Sequence, residues 1–393
     1  MDASQLGPFA YHSGRSLLRA GEGVLESLPT ELEALGLRRP LLVAGGAAAR
    51  SAVAQALRSR LAGRMAGEFN DLPQHSSVAT VEALVAQVQA GAADGFIALG
   101  GGSVSDSAKA AAIVLAEGAP LAQHANRFTP PDQYVQRVLP QPKRPIVAIP
   151  TTLSAAEVTP GLGIRDEHGH KLLFWDLQLV PRLTLLDPVA CDEVPASVLL
   201  TTGMNALAHC IEGLYSRVRN PISDGLALQG LRLLAPALRA VAATDAGAPS
   251  ARRRARLDAL VAAHVSGLVI SNARVGIHHG VCHLLGSFGG LPHGVANSVL
   301  LPHALRFNLE VAAAPLALAA QALGEAPRAE AAISAVECLQ AELGVPRRLR
   351  DTGLDRTLLP QIADLAMGDR GLYFNPRRAA GPHEVLALLE AAW

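Results

Sequence analysis

The sequence has no excess of charge of either sign. Its 34 Lys and Arg residues equal its 34 Asp and Glu residues in number, and only 17% of the chain is charged. A protein without net charge has no global field that would gather a nucleic acid or an anionic membrane. We therefore expect a small molecule as the ligand, and neither a nucleic acid nor a membrane as a partner.

Cysteines and long apolar runs are also scarce. The four cysteines among 393 residues have no paired spacing, so they predict reduced thiols rather than a disulfide framework. No apolar run reaches the length of about 18 residues that would cross a membrane. The first fifteen residues (MDASQLGPFAYHSGR) lack the apolar core of a signal peptide. These absences predict a cytoplasmic protein.

The chain is long enough for two domains. After an opening hairpin-like region, two kinds of segment alternate in its first half. Short apolar runs, typical of buried strands, occupy residues 41–44, 95–99 and 146–150. Segments of helical spacing occupy residues 25–37, 51–61 and 78–90. This alternation is typical of a parallel sheet covered on both faces by helices. Residues 1–195 are therefore predicted to form an α/β domain with a Rossmann-like parallel sheet.

The pattern changes near residue 195. Pro188 and Pro195 interrupt it, and long segments rich in Ala, Leu and His with helical spacing follow. Residues 196–393 are therefore predicted to form an all-α domain.

Three glycines form the first chemical signal. Gly100, Gly101 and Gly102 follow a predicted strand and open a predicted helix, with Ser103 in the N-cap position. Exposed N–H groups and the helix dipole favour a phosphate at such a place. The spacing matches neither GxGxxG nor the P-loop, and a tight turn without a ligand is the alternative. Asp106 and Lys109 are predicted to lie on one face of this helix. They would either act together beside the ligand or form an ion pair at the surface.

Histidines form the second signal. Five of the 13 histidines fall between positions 278 and 303. His279 and His283 are spaced i, i+4, which can present two imidazoles to one metal ion or one substrate. An isolated histidine on an apolar helix is more often a core residue, and we interpret His264 and His303 in that way.

The string GGGSxxDxxK at residues 100–109, with the Thr-Thr and Glu-Val-Thr segments at 151–152 and 157–159, resembles the iron-containing alcohol dehydrogenase superfamily. Residues 153–156 depart from the usual form of the second segment. The resemblance implies a fold similar to dehydroquinate synthase and a nicotinamide cofactor, NAD(P)H. The cofactor-binding residues it implies are Gly45, Gly100, Gly101, Gly102, Ser103, Asp106, Lys109, Thr151, Thr152 and Lys171.

The superfamily often has an acidic residue after the first strand, where it binds the adenosine ribose of NAD. This chain has Gly45 at about that point, and Arg50 follows. No carboxylate would repel a 2′-phosphate there, so NADPH is a candidate cofactor beside NADH.

The resemblance also implies a metal site. Its ligands would be Asn205, His209, His279 and His293. Of these, Asn205, His209 and His279 would also serve catalysis, with His283 as the proton donor or relay beside the reacting carbonyl. Asn205 stands where the superfamily has its Asp ligand. Because that Asp is the only anionic ligand, we expect iron or zinc to be weakly held or absent. The histidines would then polarise the substrate by hydrogen bonding or as imidazolium.

Several strings are similar to the maleylacetate reductase branch, among them the segments 205–210, 278–286 and 375–377, whereas the segment 292–297 has the form usual in iron alcohol dehydrogenases. That branch implies reduction of maleylacetate to 3-oxoadipate in the degradation of aromatic compounds. A substrate with two carboxylates suggests arginine partners, and Arg274 and Arg377 are the candidates. A metal-dependent alcohol or aldehyde dehydrogenase and a non-redox or ligand-binding relative are the alternatives. Relatives are commonly dimers, so we expect a homodimer.

Overall fold

The computed structural model describes residues 9–14, 16–73 and 76–393 of the chain. It confirms the expected fold class, with an α/β N-terminal half and a helical C-terminal half. In chain order the strands are β1 (Leu17–Ala20), β2 (Leu41–Ala44), β3 (Gly67–Phe69), β4 (Phe96–Gly100), β5 (Arg127–Thr129), β6 (Gln133–Val135), β7 (Ile146–Pro150), β8 (Gly161–Arg165), β9 (Lys171–Trp175) and β10 (Leu183–Leu186).

The main sheet has six parallel strands in the order β1-β10-β7-β4-β2-β3. Its central strands β2, β4 and β7 are buried along their whole length, because apolar clusters cover both faces of the sheet. The helices of this half are α1 (Leu28–Ala34), α2 (Gly46–Arg50), α3 (Ala52–Arg60), α4 (Val78–Ala90) and α5 (Gly102–Glu117). The register pairs Gly100 with Pro150, so the loops after β4 and β7 leave the sheet side by side.

Two features of this half differ from the sequence expectation. Strand β1 pairs in parallel with β10 and not in a hairpin, although residues 1–8 and 15 lie outside the described part. Two antiparallel ribbons, β5 with β6 and β8 with β9, were not predicted. In the second ribbon, β8 (GLGIR) has only two large apolar residues among two glycines and an arginine, and β9 (KLLFW) does not alternate, so neither strand has a strong sequence pattern.

The C-terminal half is helical, as predicted. Its helices are α6 (Ala196–Tyr215), α7 (Pro221–Thr244), α8 (Pro249–Ala273), α9 (Ile277–Ser287), α10 (His293–Asn308), α11 (Ala313–Ala322), α12 (Ala329–Leu343), α13 (Leu359–Ala366), α14 (Gly371–Phe374) and α15 (Pro382–Ala391). Helix α6 is almost entirely buried and packs against α7, α8 and α10. The boundary between residues 195 and 196 stays a prediction.

Candidate active site

A cavity of about 720 Å³ lies between the carboxyl-terminal edge of the main sheet and helices α6, α9 and α10. Its wall brings together most of the predicted site residues, namely Gly101, Gly102, Ser103, Asp106, Thr152, Lys171, Asn205, His209, Arg274, His279, His283 and His293. Five predicted residues do not line this cavity, and they are Gly45, Gly100, Lys109, Thr151 and Arg377.

The glycine turn suits a phosphate through its backbone. Helix α5 begins at Gly102 and its N-cap is Gly101, so Ser103 lies in the first turn and not at the N-cap as predicted. Gly100 has a φ of 155°, and a Cβ atom there would come 2.5 Å from Val104. Gly101 and Gly102, at the N terminus of this 16-residue helix, line the cavity, and no side chain caps the helix by a hydrogen bond. This geometry fits the pyrophosphate of a nicotinamide nucleotide.

Gly45 and Thr151 shape this edge of the sheet from outside the cavity. A Cβ atom on Gly45 would lie 2.8 Å from the Cβ atom of Leu72, so the fold leaves no room there for an acidic side chain. The Thr151 N–H donates to the carbonyl oxygen of Gly100 at 3.1 Å, which ties the end of β7 to the end of β4. Thr151 therefore positions the glycine turn through a backbone hydrogen bond, whereas Gly45 permits close packing against Leu72.

Lys109 does not contact the cavity, which corrects its predicted role beside the ligand. Its side chain is fully buried, and its Nζ donates to the carbonyl oxygens of Ala156, Thr159 at 2.6 Å and Gly161 at 3.2 Å. Burial lowers the pKa of Lys109 to about 8. With three carbonyl acceptors satisfied, Lys109 fixes the loop after β7 in place.

Asp106 and Lys171 do face the cavity. The Asp106 carboxylate accepts a hydrogen bond from the Gly163 N–H at 3.0 Å, and burial raises the pKa of Asp106. Burial also lowers the pKa of Lys171, although the nearby charges of Asp106 and Asp369 oppose this shift. The ribbon of β8 and β9 therefore forms one wall of the site.

The histidines come from three helices. Helix α6 places Asn205 and His209 one turn apart, and α10 begins at His293. A Cβ atom on Gly294 would lie 2.9 Å from the backbone of Thr201, so this glycine lets α10 approach α6 closely. The ring of His279, on α9, lies 4.8 Å from that of His209 and 5.8 Å from that of His293, measured between centroids.

His279 has an oxygen acceptor at each ring nitrogen. Its Nδ1 contacts the buried carboxylate of Glu212, and its Nε2 lies 3.0 Å from the Oδ1 atom of Asn205. The Asn205 amide nitrogen donates to the Ser154 carbonyl at 3.4 Å, which turns Oδ1 toward His279. Although burial opposes ionisation, His279 and His278 hold the pKa of Glu212 well below its usual value. A neutral His279 that donates from Nδ1 to Glu212 therefore directs its single lone pair from Nε2 toward Asn205.

The expected metal donors do not fit a tightly held divalent ion. Among the His, Cys, Asp and Glu side chains of the described part of the chain, only Glu212, His278 and His279 bring three ligand atoms within 4.8 Å of one another, and this triad shares a single residue with the expected set. Burial lowers the pKa values of His209 and His293, so these imidazoles are in the neutral form that can bind a metal. The set nevertheless lacks an anionic donor, because Asn205 is neutral, and its three imidazoles do not converge within that distance, which weakens the binding of a divalent cation.

His283 is held by a carboxylate that the sequence did not reveal. Its Nδ1 donates to Asp369 Oδ2 at 2.7 Å, while the other oxygen of Asp369 accepts from the Gly371 N–H at 2.7 Å. Burial lowers the pKa of His283 to about 4, so the ring is neutral near pH 7. Because Nδ1 is engaged, Nε2 is the nitrogen available to the cavity. This pair can move a proton to or from a bound molecule.

Comparison with known proteins identifies the family. The model of iron-containing alcohol dehydrogenases matches residues 16–188, and the model of the C-terminal part of the Fe-containing alcohol dehydrogenase family matches residues 199–393. The chain belongs to the iron-containing alcohol dehydrogenase family. It is therefore an oxidoreductase, as the sequence predicted.

Relatives within the family differ in substrate. The chain is 30% identical to lactaldehyde reductase of Escherichia coli over 387 residues, covering 95% of this chain and 97% of that protein. It is 31% identical to maleylacetate reductase of Burkholderia cepacia over 359 residues, covering 91% and 90%. A solved 1,3-propanediol oxidoreductase shares the fold with a TM-score of 0.89 and 28% identity, covering 98% and 100%. These similarities leave the substrate open within the iron-containing alcohol dehydrogenase family.

The structure also changes which basic residues are candidates to bind the substrate. Arg377 donates to the Phe307 carbonyl at 2.9 Å and pairs with Glu384, so it is committed outside the cavity and is not a substrate ligand here. The cavity instead contains Arg165 and Arg370 beside the predicted Arg274. No spacing rule links Arg370 or Asp369 to the histidines, because they meet only through the fold. The one feature of the sequence that could have indicated Arg370 and Asp369 is that they lie close to the segment 375–377.

Proposed function

We propose that this protein is an NAD(P)H-dependent reductase of an acidic substrate, and that maleylacetate is the first substrate to test. The supporting observation is the charge of the cavity wall. Arg165, Lys171, Arg274 and Arg370 line it, whereas Asp106 is the one carboxylate among the lining residues. An excess of cations in a partly buried cavity favours anionic ligands. A substrate with two carboxylates fits this charge better than a neutral aldehyde.

The glycine turn, the start of α5 and Asp106 would hold the nicotinamide nucleotide, which supplies a hydride when bound. Reduction of a carbon–carbon double bond consumes one hydride and one proton. His283 lies in the cavity wall with Asp369 behind it, so we assign the proton transfer to His283 Nε2. Asp369 keeps one proton of the imidazole on Nδ1 and orients the ring. Nε2 therefore takes up a second proton from water and passes that proton to the substrate as the hydride is transferred. No part of this assignment depends on a metal ion.

A second candidate is a metal-dependent alcohol or aldehyde dehydrogenase. It is favoured by the similar identity to lactaldehyde reductase and to 1,3-propanediol dehydrogenase of Klebsiella pneumoniae, at 30% and 33%. The replacement of an anionic donor by the neutral Asn205 disfavours it. A non-redox or ligand-binding relative is a third candidate, and a failure to bind either nicotinamide nucleotide would support it.

The deciding experiment is NAD(P)H oxidation with maleylacetate and, separately, with lactaldehyde, before and after treatment with a chelator. We expect turnover of maleylacetate that the chelator leaves unchanged. Turnover of lactaldehyde alone, lost with the chelator and restored by iron or zinc, would refute the proposal and establish the second candidate.

We also propose that NADPH is accepted beside NADH. The packing of Gly45 against Leu72 excludes the acidic side chain that would repel a 2′-phosphate, and Arg50 lies exposed nearby. The kcat/KM values for the two nucleotides with one substrate test this proposal. A preference for NADH of more than about a hundredfold, or roughly 2.7 kcal/mol, would contradict it.

A cytoplasmic homodimer is the assembly we propose. The supporting feature is β1, which forms an edge of the main sheet and exposes 44% of Leu17 and 38% of Leu18. Exposed edge strands with apolar residues favour association. Sedimentation should therefore give a dimer, and Leu17→Lys with Leu18→Lys should shift the protein to a monomer. A monomeric parent protein would refute this assembly.

A further inference from the structure

We propose that Arg274, Trp175 and Arg370 form the subsite for a substrate carboxylate remote from the reacting carbon, and so select acids over neutral carbonyl compounds. The inference rests on the proposed reductase function and names Arg370 and Trp175 as specificity residues. Three independent features of these side chains support it.

The backbone of Arg274 is the first feature. It ends α8 with φ 65° and ψ 171°, a conformation that is nearly restricted to glycine. Arg274 is one of three residues other than glycine with positive φ in the described part of the chain. Strained conformations of this kind cluster at functional sites, where the surroundings hold them. Here the conformation directs a guanidinium group into the cavity.

The contacts of the Arg274 side chain are the second feature. Its Cζ atom lies 3.3 Å from the centre of the Trp175 ring, as in a cation–π contact. Its Nη1 atom is buried without a hydrogen-bond partner, and Nη2 lies 3.5 Å from Gln136 Oε1. A Cβ atom on Gly161 would come 2.9 Å from Trp175, so this glycine makes room for the indole. The guanidinium therefore keeps a donor for a ligand.

The second cation is the third feature. Arg370 Cζ lies 5.6 Å from the Trp175 ring, and its Nη1 contacts the Tyr134 hydroxyl at 3.4 Å. Within the described residues, no salt bridge involves either arginine. Burial and then the charge of Arg370 lower the pKa of Arg274 to about 9. A carboxylate bound between the two guanidinium groups would accept hydrogen bonds from both arginines. The planar guanidinium group also matches the planar geometry of a carboxylate.

The position of Arg370 in the chain links this subsite to the reaction. Arg370 directly follows Asp369, which hydrogen-bonds to His283. One short segment therefore fixes the proton-transferring histidine and also contacts the remote carboxylate. The nucleotide pyrophosphate has its own backbone donors at the start of α5, so it does not require these two arginines.

The test uses the fluorescence of Trp175. Because Trp175 and Trp393 are the two tryptophans of the chain, Trp393→Phe leaves Trp175 as the only indole. We expect adipate, a dicarboxylate, to change its emission, and 1,6-hexanediol, a neutral analogue, to leave it unchanged. Arg370→Gln and Arg274→Gln should each weaken adipate binding by about tenfold or more. Arg370→Lys should restore part of the loss, and the exposed Arg378→Gln is the matched control.

Arg274→Gly separates binding from folding. Glycine adopts the observed φ without strain, so this variant should be at least as heat-stable as the parent while binding adipate about tenfold more weakly. A structural role alone would not raise stability and lower affinity together. No adipate response in the Trp393→Phe protein, or equal binding by the Gln variants and the parent, would overturn the proposal.

Kinetics distinguish failure of this subsite from failure of the proposed function. With maleylacetate, Arg370→Gln should raise KM by about tenfold and change kcat and the KM for NADH much less. If the parent binds adipate through these arginines but does not turn over maleylacetate, the subsite stands and the substrate assignment fails. If maleylacetate is turned over and both Gln variants keep the parent KM, the subsite is refuted and the reductase function stands.

Discussion

The side of the cavity that we assign to the nucleotide, called the nucleotide side below, comes from a continuous segment of the chain, whereas the histidine side is assembled from distant ones. Strand β4, the glycine turn and α5 span residues 96–117 without a break. Across the cavity, Asn205 and His209 on α6 meet His279 on α9, His293 on α10 and the segment around Asp369. The first side depends on backbone geometry, and the second depends on how helices pack. The two sides should therefore respond differently to mutation.

The largest effect is expected at His283. Changing His283→Gln removes the group assigned to proton transfer and should lower kcat by about 10²- to 10⁴-fold. The nucleotide side should be unaffected, so the Kd for NADH, measured by fluorescence titration, should stay within about twofold of the parent. A fall in kcat below tenfold would show that His283 does not transfer the proton.

Asn205→Asp should change the metal chemistry of the histidine side. A carboxylate restores an anionic donor, and we expect the affinity for Zn²⁺ to rise by about ten- to a hundredfold. Competition with a chelator, followed by metal analysis, measures this change, and Asn297→Asp is a buried amide control outside the cavity wall. One ion per chain that survives chelation of the parent protein would contradict our interpretation of Asn205.

Lys109→Met should disorder the loop after β7, which forms part of the nucleotide side and is held by Lys109. The change leaves three carbonyl acceptors of the loop after β7 without their donor. We expect a loss of about 3 kcal/mol in the free energy of unfolding and weaker NADH binding. Urea denaturation measures the first effect, with the exposed Arg328→Met as the control. Parent-like stability would show that the loop does not depend on Lys109.

The smallest effect is expected from His264 in the helical half. Burial lowers the pKa of His264 to about 4 from its ordinary value of 6.5. Between these values the unfolded chain binds more protons than the folded one, so this residue lowers stability as the pH falls through that window. His264→Leu should reduce the difference in unfolding free energy between pH 7.5 and pH 5. The exposed His168→Leu is the control, and an equal change in both variants would refute the assignment.

The sequence predicted the elements that local patterns specify. Helix α4 and strand β7 have the predicted bounds, because apolar spacing marks both. Ser103 shows the limit of such reasoning, since Gly101 occupies the N-cap without a side-chain hydrogen bond. Lys109 shows another limit, because a position on the same helix face as Asp106 does not tell whether a side chain faces a ligand or the core. The ribbon of β8 and β9 was missed, although it supplies Lys171 and Trp175.

The sequence alone determined the superfamily and the alternation of strands and helices, and it predicted a phosphate-binding turn and the replacement of an anionic ligand by Asn205. Each of these follows from neighbouring residues or from a short motif. Only the tertiary structure decided that Asp369 holds His283, that Arg377 is bound elsewhere, and that Arg274 and Arg370 meet over Trp175. These contacts join residues far apart in the chain, and their geometry depends on the packing of whole helices and strands.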